Sequence, residues 1–133
     1  KLNYWGHNGN FSNYQLQVPF VLHWPGQAGG RDARVSSHED WVPTLMRHGL
    51  GCENALTDYS TGHDLLAAPT GKRALVVESW SQRAVRNGEA IYVFDKFGNA
   101  TALDARYRPL PQQTPDAASI RAAWEALTRF RNR

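Results

Sequence analysis

Cysteine is almost missing from these 133 residues: Cys52 stands alone, so no internal disulfide can form and a cysteine-based zinc site is excluded. Long apolar runs are missing as well. The longest, Val18–Leu22 and Ala74–Val77, fall far short of the ~20 residues that a membrane-spanning helix needs. There is no Gly-x-Ser-x-Gly elbow, no His-Glu-x-x-His pair, no Gly-Lys-Ser/Thr phosphate loop and no Rossmann glycine pattern. Those absences remove most self-contained enzyme classes. No internal repeat occurs. The first residue is Lys1, with neither Met nor a basic–apolar–small signal pattern, so the sequence is expected to be a piece of a longer chain.

What is present is globular: 41% hydrophobic, 11% aromatic and 20% charged residues, with enough length for one domain and a real core. The net charge of +3 is unevenly spread: residues 1–70 hold 4 Lys/Arg against 6 Asp/Glu, and residues 71–133 hold 11 against 6. A basic half can face phosphates or an anionic membrane surface, or simply form a solvated face. All five histidines, His7, His23, His38, His48 and His63, lie in the first half.

Residues 1–17 carry four Asn, two Gly and four aromatic residues without an apolar period, which predicts a shaped loop. Val18–Trp24 is a short apolar run stopped by Pro25-Gly26, the pattern of a strand buried on both faces of an α/β sheet. Ser36 and Ser37 precede Glu39 and Asp40, a Ser-x-x-acid helix start, and the apolar spacing then predicts a helix over 38–49 with Gly49 or Gly51 as its stop. From residue 74 the texture changes to four alternating segments, 74–80, 82–86, 89–95 and 100–105. Turns at Asn87-Gly88 and Gly98-Asn99 make them an antiparallel meander. A last helix is expected over 115–130, capped by Thr114 with Pro115 in its first turn.

Among candidate functional residues, His7 sits between Gly6 and Asn8 in the aromatic loop, where an imidazole can donate to a phosphate or sulfate oxygen or bind a metal. The bland alternative is a hydrogen bond to a loop carbonyl. His23 reads as a core or edge residue of the strand, and His38 and His48 as structural residues near the helix ends. His63-Asp64 is at most half of a metal site. Asn10-Phe11-Ser12 and Asn99-Ala100-Thr101 match the short glycosylation pattern. Tyr92, Phe94 and Tyr107 could stack bases, but no nucleic-acid-binding signature accompanies them, and no nucleic-acid partner is expected.

The stretch YWGHNGNFSNYQLQVPFVLHWPG (4–26), followed by RVSSHEDWVPTLMRHGLG (34–51) and DYSTGHDLL (58–66), resembles the sulfatase-like part of the alkaline phosphatase superfamily. The order is a Gly-His loop, a Val-Pro strand ending in Pro-Gly, a helix carrying Pro-Thr-Leu, then a turn before a leucine pair. Its Trp-Gly-His…Asn-Phe-Ser wording and Asp-Tyr-Ser turn look most like the YejM/PbgA inner-membrane proteins of Gram-negative bacteria. The resemblance implies a parent with N-terminal membrane helices and a hydrolase-fold domain on the periplasmic side of the inner membrane. It also implies a role in lipopolysaccharide homeostasis, with cardiolipin handling proposed. Superfamily members hold a divalent metal (Zn, Mg, Mn or Ca) through aspartates, a His and a nucleophile, all implied to lie before Lys1. His7 alone maps onto the pocket, where its counterpart approaches the substrate's phosphate or sulfate.

The expectation is therefore a C-terminal piece of a sulfatase-like α/β domain. Residues 1–70 would be core, with pocket loop 1–17, strand 18–24 and helix 38–49; residues 71–133 would be meander plus helix 115–130. Such a piece would hold no cofactor and catalyse nothing alone. Its intact parent would be either a metal-dependent hydrolase or transferase of phosphate or sulfate esters, or a non-catalytic lipid sensor. The expected partners are the missing N-terminal part of the same domain, envelope lipids and further copies of the piece.

Overall fold

The structure, a computed structural model, describes residues 10–69, 71 and 73–130. It is mixed α/β and divides into two compact units, one of residues 1–27 with 72–133 and one of residues 28–71.

The first unit is built on a four-stranded antiparallel sheet in sequential order: β1 Ala74–Glu78, β2 Arg83–Asn87, β3 Ala90–Phe94 and β4 Ala100–Leu103. Asn87 pairs with Ala90, so the β2–β3 turn is Gly88-Glu89, one residue later than Asn87-Gly88. Gly88 takes φ 62° at the first central position, where the tightest right-twisted hairpins want a glycine. The register sorts the side chains into two faces. One carries Val77, Ala84, Val93 and, a row further on, Leu75, Arg86, Ile91 and Leu103. The other carries Val76, Val85, Tyr92 and Phe94.

Both faces are covered. Phe11, only 2% exposed, joins Ala84, Ile91, Val93 and Leu103 in the core of the first face, with Leu16, Val77 and Tyr107 packed against it. The second face receives α3, Ala117–Thr128. Trp124 of that helix meets Phe94 edge-on at 5.5 Å between ring centroids, and the Arg83 guanidinium lies 5.7 Å from the Trp124 ring. The helix begins at Ala117 rather than 115: Asp116, not Thr114, accepts from the Ala118 N–H through its carboxylate and from Ile120 through its carbonyl.

Val18–Trp24 is not a strand. It runs as extended chain after the single turn α1, Asn13–Leu16, and pairs with no strand among the described residues. Val21 is 92% exposed, and Val18 and Phe20 are more than half exposed. His23, expected to be a core or edge position, is exposed with them. An apolar run reports a tendency to be buried; a strand needs a neighbour to bond, and none lies among the described residues.

The second unit is one helix held by a loop. A 3₁₀ turn His38–Asp40, an α turn Trp41–Thr44 and a π turn Leu45–Gly49 make one continuous helical run, α2. Ser37 and Asp40 cap its start reciprocally, and Gly51 at φ 66° closes its end, with the Cys52 N–H donating to the Met46 carbonyl.

Candidate functional site

His7 lies outside the described residues. The described part of the loop that carries it begins at Asn10, and it is packed. Asn10 Oδ1 accepts from the Ser12 N–H at 2.9 Å, both residues are buried, and between them Phe11 drops into the sheet core. The Asn13 N–H donates to the Ala105 carbonyl at 3.0 Å, which ties this segment to the loop after β4. Two buried oxygens in the same stretch, Ser12 Oγ and Asn13 Oδ1, have no hydrogen-bond partner among the described residues. The glycosylation pattern at Asn10 thus falls on a buried side chain with a structural duty. At the second such pattern, Asn99 Nδ2 donates to Asp95 Oδ2.

The loop facing this segment is organised by one carboxylate. Asp104 Oδ1 accepts from the Arg106 and Arg108 N–H groups, and Oδ2 accepts from Arg108 Nε at 2.7 Å and Nη2 at 2.6 Å. Those bonds, the Arg108 N–H first, hold the Asp104 carboxyl below its ordinary pKa. Tyr107 is pulled into the left-handed region at φ 67° and packs against the core. Arg106 and Arg108 are left exposed on either side. Asp95 plays the same part in the β3–β4 turn: the Asn99 side chain first, then the turn amides, lower its pKa. Beside that turn, Phe94, Gly98, Ala100, Ile120 and Trp124 line a shallow apolar groove of about 590 Å³.

In the second unit the polar residues converge on the helix. Pro43 has no N–H to give the Glu39 carbonyl, and Ser60 Oγ donates to that oxygen instead. Buried Asp40 accepts from the Ser37 and His63 N–H groups, each at 2.8 Å. Buried Thr44 donates to the Asp40 carbonyl and accepts from the Leu65 N–H. Asp64 accepts from the Leu66 N–H, and its Oδ2 lies 2.7 Å from His48 Nε2. His48 is therefore a clamp at the helix end, and His38 is exposed at the start. His63 enters this network through its backbone. The Asp64 bonds and the Asp40 bond to the His63 N–H were not legible in the sequence; their signal is an acid within hydrogen-bonding reach of loop amides, which only the fold reveals.

A divalent metal needs several oxygen or nitrogen donors aimed at one point. Among the described residues no three of His, Cys, Asp and Glu converge in that way. Asp40 and Asp64 already accept backbone N–H groups with both or one of their oxygens. The described donor set does not fit a metal. Nor is any described helix long and apolar enough to cross a membrane.

Comparison with known proteins finds similarity to bacterial inner membrane proteins. The chain is homologous to the inner membrane protein YejM. Against YejM of Salmonella typhimurium (strain LT2) it is 27% identical over 111 residues, which is 84% of this chain and 19% of the relative; YejM of Salmonella typhi gives the same figures. A protein of Haemophilus influenzae described as uncharacterized is 27% identical over 97 residues, 73% of this chain and 17% of the relative. The chain thus spans about a fifth of the length of the relatives it matches. No protein-family model matches it.

Proposed function

We propose that this chain is part of the sulfatase-like periplasmic domain of a membrane-anchored protein that acts in envelope lipid homeostasis, on lipopolysaccharide or cardiolipin, and that the piece alone performs no hydrolysis. The homology to an inner membrane protein over 84% of the chain carries this reading. The Gly-His loop, the Pro-Thr-Leu helix and the Asp-Tyr-Ser turn supply its sulfatase-like part. Ester hydrolysis in such a domain draws on a metal and a nucleophile. The resemblance implies that those groups lie on residues other than these.

Within this reading His7 is the one residue of the chain that touches ligand. It donates to a phosphoryl or sulfuryl oxygen, while the buried Asn10–Ser12 stretch anchors its loop on the sheet. The test compares the longest natural chain containing these residues with its His7→Ala variant. Loss of one charge-assisted hydrogen bond should weaken ligand binding about tenfold to a hundredfold, ~1.5–3 kcal/mol, and leave the melting temperature unchanged. The 133-residue chain itself should turn over no phosphate or sulfate ester. Unchanged binding with a lowered melting temperature would make His7 a loop staple; turnover by the piece at the intact domain's rate would overturn incompetence.

A further inference from the structure

Helix α3 packs on β1 and β2, so the Phe94–Ala100 corner of the same sheet face is not roofed by it. Phe94 and Ala100, paired across β3 and β4, floor the shallow groove there, and Ile120 and Trp124 form its helical wall. Phe97 stands on the lip, next to Gly98 in the β3–β4 turn. It is 78% exposed, with the Lys96 ammonium 5.0 Å from its ring. Ring and groove adjoin, and an apolar patch rimmed by polar groups marks an interaction site. Two charged side chains edge this groove, Arg121 and Glu125. They stand four residues apart on α3, about one turn or ~6 Å along its axis. Both are exposed, and neither ion-pairs with the other or with any other described residue. Arg followed by Glu is the weaker order for a pair within one helix, so both charges remain unspent.

We propose that this groove is a two-fold interface whose occupant is a second copy of this chain. A two-fold contact sets one patch against itself, so each charge in it must meet its opposite within the patch. Arg121 and Glu125 meet that condition. With the axis passing between them, the two α3 helices run antiparallel, Arg121 faces the partner's Glu125, and the pairing occurs twice. A patch of one sign would repel its own copy. The apolar part is self-complementary in the same way, a protruding ring beside a groove, and each Phe97 covers the floor of the other copy's groove. A small apolar ligand fits less well, because sites for such ligands enclose roughly 70–90% of their surface and a shallow groove does not. The contact uses no residue of the exposed 18–24 segment, closes at two copies, and does not depend on the functional reading above.

The test is sedimentation equilibrium of the 133-residue chain carrying Val21→Lys, which removes association through the 18–24 segment. The data should fit a monomer–dimer equilibrium with one dissociation constant. Arg121→Glu and Glu125→Arg each set like charges opposite one another twice, and each should raise that constant about tenfold or more. Phe97→Ser should raise it about tenfold as well. Arg121→Glu combined with Glu125→Arg restores opposite signs and should return the constant to within about threefold. Mixed together, the two single variants should pair with each other more tightly than either pairs with itself, which an effect within one helix would not produce. Arg86→Ala, on the other face of the sheet, should leave the constant unchanged, and every variant should keep the circular dichroism spectrum of the unsubstituted chain. The inference is overturned by a Val21→Lys chain that stays monomeric at high concentration. It is equally overturned by single reversals without effect, or by a double reversal as weak as the singles.

Discussion

Pro43 and Gly62 act on the same oxygen. The proline withholds an N–H from the Glu39 carbonyl, and the glycine lets the 60–64 loop close over it: a Cβ at Gly62 would collide with that carbonyl and lie 2.8 Å from the Asp40 N. The obstruction is backbone on both sides, so no rotamer change relieves it. Gly62→Ala should therefore destabilise the second unit by about 2–3 kcal/mol, read as a lower urea midpoint with an unchanged slope. Gly62 has no positive φ to betray it. In sequence it is one more turn former in DYSTGHD, and only the close approach explains it. Asp40 was legible as half of the Ser37 capping box, because that pairing is local. Its second bond, to the His63 N–H, was not, because 23 residues separate the partners.

At the scale of elements, period and punctuation did well where neighbours in sequence are neighbours in space. Alternation and glycine turns located all four strands, and the error at the β2–β3 turn was one residue: Gly88 fills the first turn position rather than the second, so Asn87 stays in the ladder. The last helix was misplaced at its start because Thr114 and Asp116 are both able caps, and the carboxylate wins. Phe11 was the larger miss. It lies in an Asn-rich stretch without an apolar period, yet it is the largest fully buried side chain among the described residues. Phe11→Ala should cost about 3–5 kcal/mol and release the Asn10–Leu16 segment from the sheet. Hydrogen exchange should then show the Asn13 amide, bonded to Ala105 in the native chain, losing its protection. A variant that keeps that protection would mean the segment is held by its polar bonds alone.

For the molecule as a whole, the segment 18–24 matters most. Val18, Phe20 and Val21 expose apolar side chains along extended backbone that no described strand pairs. Such an edge recruits another chain. The 133-residue chain should self-associate, with a mass by light scattering that rises with concentration, and Val21→Lys should shift it toward monomer. A clean monomer at high concentration would count against this. The sequence carried the apolar signal in plain view; whether a strand forms from it depends on a neighbour that no local pattern encodes.

The two coverings of the sheet come from opposite ends of the chain: Phe11 lies on one face, Trp124 on the other, and the Asn13–Ala105 bond spans about ninety residues. That order has a consequence on the ribosome. The meander emerges as local hairpins that can pair at once, but its second lid is synthesised after it. Until α3 is out, Val85 and Phe94 face water while Phe11 waits for Leu103. Closure is thus a late, long-range event, and translation that stops before Trp124 leaves a half-covered sheet, the species on which chaperones and proteases act.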